Sequence, residues 1–379
     1  CMAAAVALAW GALMSSADAA TFVYVGNAES QDINVLELKP NGDLSAVETV
    51  KVPGPAKPGG SLPLAISPEK HRLYAGLRNE PYTAITFDID AKTGKLKLVG
   101  PGPLADSMAY IAVDRTGRFL LSASYGGNKV TVNPIGPNGV IAAPTQVVDT
   151  QPNAHAIIVD PTNRYVLHTS LGGDVVYQQK FDAKAGKLTP NEPPTVSVKA
   201  KGGPRHLTFS PDKKSVYLLN ALDAAIYVFP WDAKTGTLKT ETQIASALPK
   251  GFDGKPWAAD IHLTPDGKYL YASERTSSTL AAFRVDPKTG ALSSIGSYAT
   301  EKQPRGFAID PTGRFLLAVG QLSNSMNNYA IDKETGSTKK TRRMPMGENP
   351  NWGENAKLPL VEMWPLWSFS RDLRVVWLW

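Results

Sequence analysis

A single cysteine in 379 residues, Cys1, removes two structural options at once: no intrachain disulfide can form and no Cys-based zinc cluster can assemble. Histidine is scarce too, with five copies and no H-x-x-x-H spacing, so the sequence offers no transition-metal motif and no cofactor is expected. No stretch sustains 3.6-residue apolar periodicity, which excludes a helical bundle. No G-x-S-x-G elbow is present either, which leaves a covalent serine mechanism without its usual nucleophile. The apolar run Ala3 to Leu13 is too short to span a bilayer. It is followed by Ser15-Ser16-Ala17-Asp18-Ala19, which has the small-x-small form of a signal-peptidase site. Residues 1–19 therefore read as an export signal, with a periplasmic or secreted mature chain that has no membrane span.

The formal charge is +6, yet the basic residues alternate with acidic ones in turns such as FDAKAGKL, 181–188. Without a basic stripe, no nucleic-acid partner is expected. A small anionic substrate fits the balance. The 32 glycines and 30 prolines are spread along the chain instead of pooling in a linker, which favours one all-β domain.

What is present in abundance is repetition. A glycine turn recurs seven times, in ELKPNGDL, FDIDAKTGKL, NPIGPNGVI, FDAKAGKL, WDAKTGTL, VDPKTGAL and IDKETGST, with Gly42, Gly94, Gly139, Gly186, Gly236, Gly290 and Gly336. A second element, strand–turn–strand, recurs six times, as in IIVDPTNRYVLHTS and IHLTPDGKYLYAS. Repeats of about 50 residues fit four-stranded units. The fold expected is an all-β, seven-bladed β-propeller of four-stranded antiparallel blades over residues 20–359. The seventh blade is shared: TFVYVGNAESQDINVLEL supplies outer strands and MGENPNWGENAKLP the inner one, which closes the ring and removes sheet edges. Residues 360–379 form an atypical Trp-rich tail. Five of the eight tryptophans lie between Trp352 and Trp379.

Aligning the repeats on the turn positions Pro68, Arg115, Pro161, Pro211, Pro265 and Pro311 shows which residues share a mouth. Six positions earlier stand Leu62, Ala109, His155, Arg205, Ala259 and Arg305. Ten positions later stand Arg78, Tyr125, Ser170 or Leu171, Ala221, Arg275 and Gln321. Polar residues thus gather at one rim, with His206, Asp260, His262 and Glu274 beside them. His71, in a turn, and His168, inside a strand, read as structural.

The pieces GPRHLTFSPD, WAADIHLTPDGKYLYASERTSS, QPRGFAIDPTGRFLLAVGQ and NPNW resemble the 6-phosphogluconolactonase, or lactonase, family of seven-bladed propellers, which also includes carboxymuconate-lactonizing enzymes. The resemblance implies an active site of one His, two Arg and a Glu. By motif the His falls on His155, the arginines on Arg205 and Arg275, and the Glu position on Ala221, a departure from the pattern. Lactone opening needs a base for water and donors for the oxyanion. His155 is the expected base, and Arg205 and Arg275 bind the oxyanion or a substrate anion. Arg305 and Arg78 are further anion clamps. Asp260 or Glu274 orients a histidine or replaces the Glu. The activity expected is hydrolysis of a sugar lactone by a monomer. The alternatives are a carboxymuconate-type cycloisomerase and a non-catalytic propeller binding a ligand or protein.

Overall fold

The computed structural model describes residues 20–358, so the export signal expected at 1–19 and the tail at 360–379 lie outside the described residues. Seven antiparallel sheets, each with a strand order that follows the chain, make up these residues, apart from one exception at the ring closure. Blade 1 combines Thr21–Asn27, Asp32–Leu38 and Leu44–Lys51 with Pro350–Lys357, which pairs along Thr21–Asn27 as the inner strand. Blades 2 to 7 follow in order, with inner strands Leu64–Ile66, Met108–Val113, Ala154–Val159, Pro204–Phe209, Ala258–Leu263 and Pro304–Ile309. The shared closing blade and the seven-fold ring thus have the expected form. Blade 5 differs in having its outer edge split into Thr237–Leu238 and Gln243–Ser246, both paired with Ala225–Asp232. In five of the other blades the outer pairing only slips register, while in blade 5 the excursion is long enough to break the strand.

The repeat turns explain why these sequences make blades. In the outer turns an Asp caps the bend: Asp90 accepts the Lys92 and Thr93 amides at 3.0 and 2.8 Å, and Gly94 takes φ 67°. A side chain on Gly94 would also collide with the Phe22 ring, so glycine is required there on both counts. In the inner hairpins Asp114, Asp160 and Asp310 each accept the amides that begin the next strand. Alternating apolar residues fill the space between neighbouring sheets, as where Phe22, Tyr24 and Val35 of blade 1 meet Leu73 and Phe87 of blade 2.

One polar residue sits deep in this packing. His168 is fully buried and stacked on Tyr177 with ring centroids 4.5 Å apart, in keeping with a structural role. Burial pushes its imidazole down to about 3. Below the ordinary histidine value of about 6.5 the unfolded chain takes up a proton that the native chain refuses, so stability falls as pH drops from there towards 3. Replacing His168 by Phe keeps the stack and removes that proton. The loss of stability between pH 6.5 and 4.5, read from urea midpoints, is expected to become shallower by about 1.4 kcal/mol per pH unit.

Candidate functional site

Six of the seven inner strands share a local feature that matters for the site. The pairing of the inner strand with its neighbour gains one residue near its start in blades 1, 3, 4, 5, 6 and 7. Such a bulge re-aims side chains that a regular strand would alternate between faces. At the bulges stand Asn351, Ala109, His155, Arg205, Ala259 and Arg305, and directly after them Trp352, Tyr110, Ala156, His206, Asp260 and Gly306. The two rows form consecutive layers of the central channel.

In the outer layer His155 and Arg205 are buried, and Arg305 is half-buried. Arg205 is held by a hydrogen bond from its guanidinium to the Ala259 carbonyl, while its own carbonyl accepts the Thr169 hydroxyl at 2.8 Å. Arg275 enters from the second strand of blade 6. It donates to the carbonyls of Trp257 and Ala258 at 3.0 and 3.1 Å, and its guanidinium lies 3.7 Å over the Trp257 ring. Arg305 donates to the Gly60 carbonyl at 3.2 Å, and Arg78 donates to the Ser61 and Ser107 hydroxyls at 2.9 and 3.1 Å. Among the described residues no carboxylate lies within ion-pairing distance of any of the four arginines. Burial and mutual repulsion make them reluctant cations: Arg305 is pulled down to about 9, first by burial and then by the Arg205 and Arg78 charges. Arg205 is lowered to about 10 by burial. A cluster of this kind gains most from an incoming anion.

The deeper layer is an aromatic and imidazole ring set. Tyr110 meets both His206 and Trp352 edge-on at 5.2 Å, and His155 meets His206 at 5.2 Å from the layer above. The carboxylate of Asp260 binds two imidazoles, with His206 Nδ1 at 2.8 Å and His262 Nε2 at 3.1 Å, and accepts the Phe307 amide at 3.2 Å. A carboxylate can only accept here, so His206 carries its proton on Nδ1 and presents a bare Nε2. That Nε2 and His155 Nδ1 are both buried and find no hydrogen-bond partner among the described residues. Burial, then the Arg205 charge, keep both imidazoles neutral: His155 lies well below its ordinary value and His206 near 3. One layer further in, Glu354 accepts the Trp352 indole N–H at 3.1 Å and is pushed up to about 7 by burial. Burial would lower His262, but the Asp260 carboxylate overrides it and raises the imidazole.

The structure therefore brings together His155, Arg205, Arg275, Arg305 and Arg78 at the mouth, with His206, Asp260 and His262 beneath them. Glu274 makes its hydrogen bonds elsewhere. Its carboxylate accepts the Trp257 and Ser277 amides and the Ser277 hydroxyl, each at 2.6 Å, and not a histidine N–H. It anchors the loop bearing Trp257, because strand alternation turns it away from Arg275. Ala221 is buried, with its amide on the Gly203 carbonyl and its carbonyl on the Ala258 amide, so the departure from the family Glu leaves no acid there. Among the described residues the carboxylate that reaches an imidazole is Asp260, which binds both His206 and His262. Tyr110, Trp352, Glu354 and Trp257 are site residues that the sequence reading did not single out. Tabulating the residue after each bulge position would have found the first two.

Trp257 is 43% exposed, at the end of the long loop joining blades 5 and 6. Because it is the platform on which Arg275 rests, Trp257→Ala is expected to raise KM about 10-fold with a smaller change in kcat. Initial rates over a range of lactone concentrations check this split.

No group of three or more His, Cys, Asp or Glu is placed to hold a metal ion among the described residues. No described helix is long and apolar enough to cross a membrane. The model of the lactonase family, a seven-bladed β-propeller, matches residues 19–354. A protein of Pectobacterium carotovorum named 6-phosphogluconolactonase is 39% identical over 87% of this chain and 97% of its own length. One of the same name from Yersinia pestis is 40% identical over 87% and 96%. Among solved structures, the periplasmic gluconolactonase of Pseudomonas aeruginosa superposes with a TM-score of 0.82 at 26% identity, covering 90% of this chain and all of that one.

Proposed function

Since the chain belongs to the lactonase family of seven-bladed β-propellers, we propose that it hydrolyses a sugar lactone bearing an anionic substituent in the pocket at the mouth of the channel. The observation that carries the substrate class is the set of four arginines without a carboxylate partner. A neutral ring would leave that charge unanswered; a phosphate or carboxylate answers it in the bidentate manner that guanidinium favours.

His155 is the base. Neutral, buried and beside Arg205, it takes a proton from water as the water oxygen adds to the lactone carbonyl. Arg205 and Arg275 receive the oxyanion. Collapse of the tetrahedral intermediate re-forms the carbonyl and breaks the ring C–O bond, and the leaving oxygen recovers the proton from His155. The product is the open-chain hydroxy acid. Arg305 and Arg78 hold the anionic substituent at the rim. His206 and Asp260 act behind His155 as positioning residues, filling the place of a family carboxylate that Ala221 cannot supply.

The resemblance to named lactonases supports hydrolysis over a cycloisomerase or a purely binding propeller. The Ala3 to Leu13 run and the cleavage form at Ala19, together with the periplasmic neighbour, support an exported enzyme, and we propose that its one domain over 20–359 works as a monomer.

A pH-indicator assay of the protein cut after Ala19, against γ- and δ-lactones of sugars with and without phosphate, tests the reading. Acid release is expected to favour the phosphorylated lactones and to disappear in folded His155→Ala. Because His155 stays unprotonated at its ordinary value of 6.5, kcat/KM is expected to hold as pH falls from 7 through 6.5 rather than fall along an ordinary histidine limb. Equal rates on charged and neutral lactones would remove the anionic-substituent reading.

A further inference from the structure

On the face opposite the mouth, neighbouring blades meet at a repeated contact. The turn glycine of one blade, with positive φ, is covered by a planar group from the start of the second strand of the preceding blade. Phe22 covers Gly94, Phe119 covers Gly186, Tyr165 covers Gly236, Tyr269 covers Gly336 and Phe315 covers Gly42. At a sixth seam the planar guanidinium of Arg72 covers Gly139. At the seventh, Ser215 stands opposite Gly290, and no ring fills the position.

The consequence is a groove of about 580 Å³ between blades 5 and 6, bordered by Ser215, Tyr217, Pro230 and Gly290. The seam that retains Phe315 has only about 260 Å³, while the seam where Arg72 stands in place of an aromatic ring has about 520 Å³. The larger volume falls in the range of small-molecule pockets. Tyr217 stays in place beside the gap, its hydroxyl donating to the Gly290 carbonyl at 2.8 Å, as Tyr24 and Tyr271 do to the glycine carbonyls at their own seams. Two walls of a ring-sized slot are therefore held as they are where a ring is present.

The rim adds a charge preference. Lys214, Lys268, Lys288 and Arg284 border the groove with Asp212, Asp266 and Asp286. The three carboxylates are committed to their own turns, each accepting a neighbouring hydroxyl and backbone amide. The pairs Lys214–Asp212 and Lys268–Asp266 are loose, at 3.9 and 3.8 Å, and lie in solvent. The ammonium groups remain available to an anion.

We propose that the groove at Ser215 is a second ligand site, separate from the catalytic mouth, that binds a monocyclic aromatic carboxylate with its ring beside Ser215, Tyr217 and Pro230 and its carboxylate towards Lys268 and Lys214. The site does not depend on the reaction assigned to the mouth.

Benzoate is the probe, with cyclohexanecarboxylate and benzyl alcohol as controls for planarity and charge. Calorimetric titration of the wild-type protein is expected to give saturable benzoate binding that exceeds both controls by 10-fold or more. The binding is expected to persist in Arg305→Ala, which places it away from the mouth. Ser215→Phe, which supplies the absent ring, is expected to abolish it and to raise the melting temperature; Ser215→Ala is expected to retain it. If Ser215→Phe does not fold, Lys268→Glu on the exposed rim is expected to weaken benzoate at least five-fold. Absence of saturation, equal binding of cyclohexanecarboxylate, loss in Arg305→Ala, or indifference to both Ser215→Phe and Lys268→Glu would each overturn the proposal.

Discussion

Arg205→Met is expected to lower kcat/KM by about 10³-fold while raising the melting temperature. Both halves follow from one fact: Arg205 is the largest of the fully buried side chains, and no carboxylate pairs with it. Its charge is held in place by a carbonyl of blade 6 and repelled by Arg305 and Arg275, so the empty pocket bears the cost of desolvating it. Methionine fills a similar volume without that charge, and replacing buried ionic groups by apolar ones of like size is often neutral or stabilising, by about 1–4 kcal/mol. The oxyanion, however, loses a preorganised donor, a loss of about 3–4 kcal/mol in the barrier. Arg205→Lys is expected to recover little activity, because an ammonium cannot reproduce the planar two-pronged donor. Differential scanning calorimetry beside initial-rate kinetics measures the trade; an unstable Arg205→Met with normal kinetics would make Arg205 a framework residue.

Asp260→Asn is expected to lower kcat about 10²-fold with KM nearly unchanged. An amide keeps the size of the carboxylate but has one oxygen where Asp260 has two, and four N–H groups now converge on those two: His206, His262 and the Ile261 and Phe307 amides. One imidazole must then face an N–H₂ group and give up its proton at that nitrogen, which reverses the tautomer of His206 or His262. If His206 and Asp260 steady His155, the loss appears in kcat, and Asp260→Glu restores part of it. A merely structural role would instead appear as lost stability with rates per folded molecule preserved. Nuclear magnetic resonance of the imidazole nitrogens reports the tautomer directly.

Much of this was legible in the chain before any coordinates. The seven glycine turns fix the number of blades because a left-handed turn position tolerates little else, and NPNW near the C-terminus is readable as the inner strand that blade 1 lacks. Counting from the inner-turn positions also located His155, Arg205 and Arg305, since strand length from turn to rim is nearly constant among blades. What counting could not supply is the direction of a side chain. Strict alternation would send His155 and the residue after it to opposite faces, but the bulge turns Tyr110, His206, Asp260 and Trp352 into one ring set. The hydrogen-bond partners of Glu274 were equally hidden: its carboxylate turns to the Trp257 and Ser277 amides, contacts that no repeat position announces. Trp257 was hidden because its importance lies in a stacking contact with Arg275, across a loop that has no repeat counterpart.

The pairing of Pro350–Lys357 with Thr21–Asn27 also bears on the order of events at the ribosome. Strands of blades 2 to 7 find their partners within about 50 residues of themselves and can close locally. Thr21–Asn27 has one edge paired early and must keep the other open until more than 300 further residues have been made. The same late strand carries Trp352 and Glu354 into the channel. The free edge of Thr21–Asn27 therefore stays open to mispairing until the last strand is made, and that interval is where a holding chaperone would be of most use.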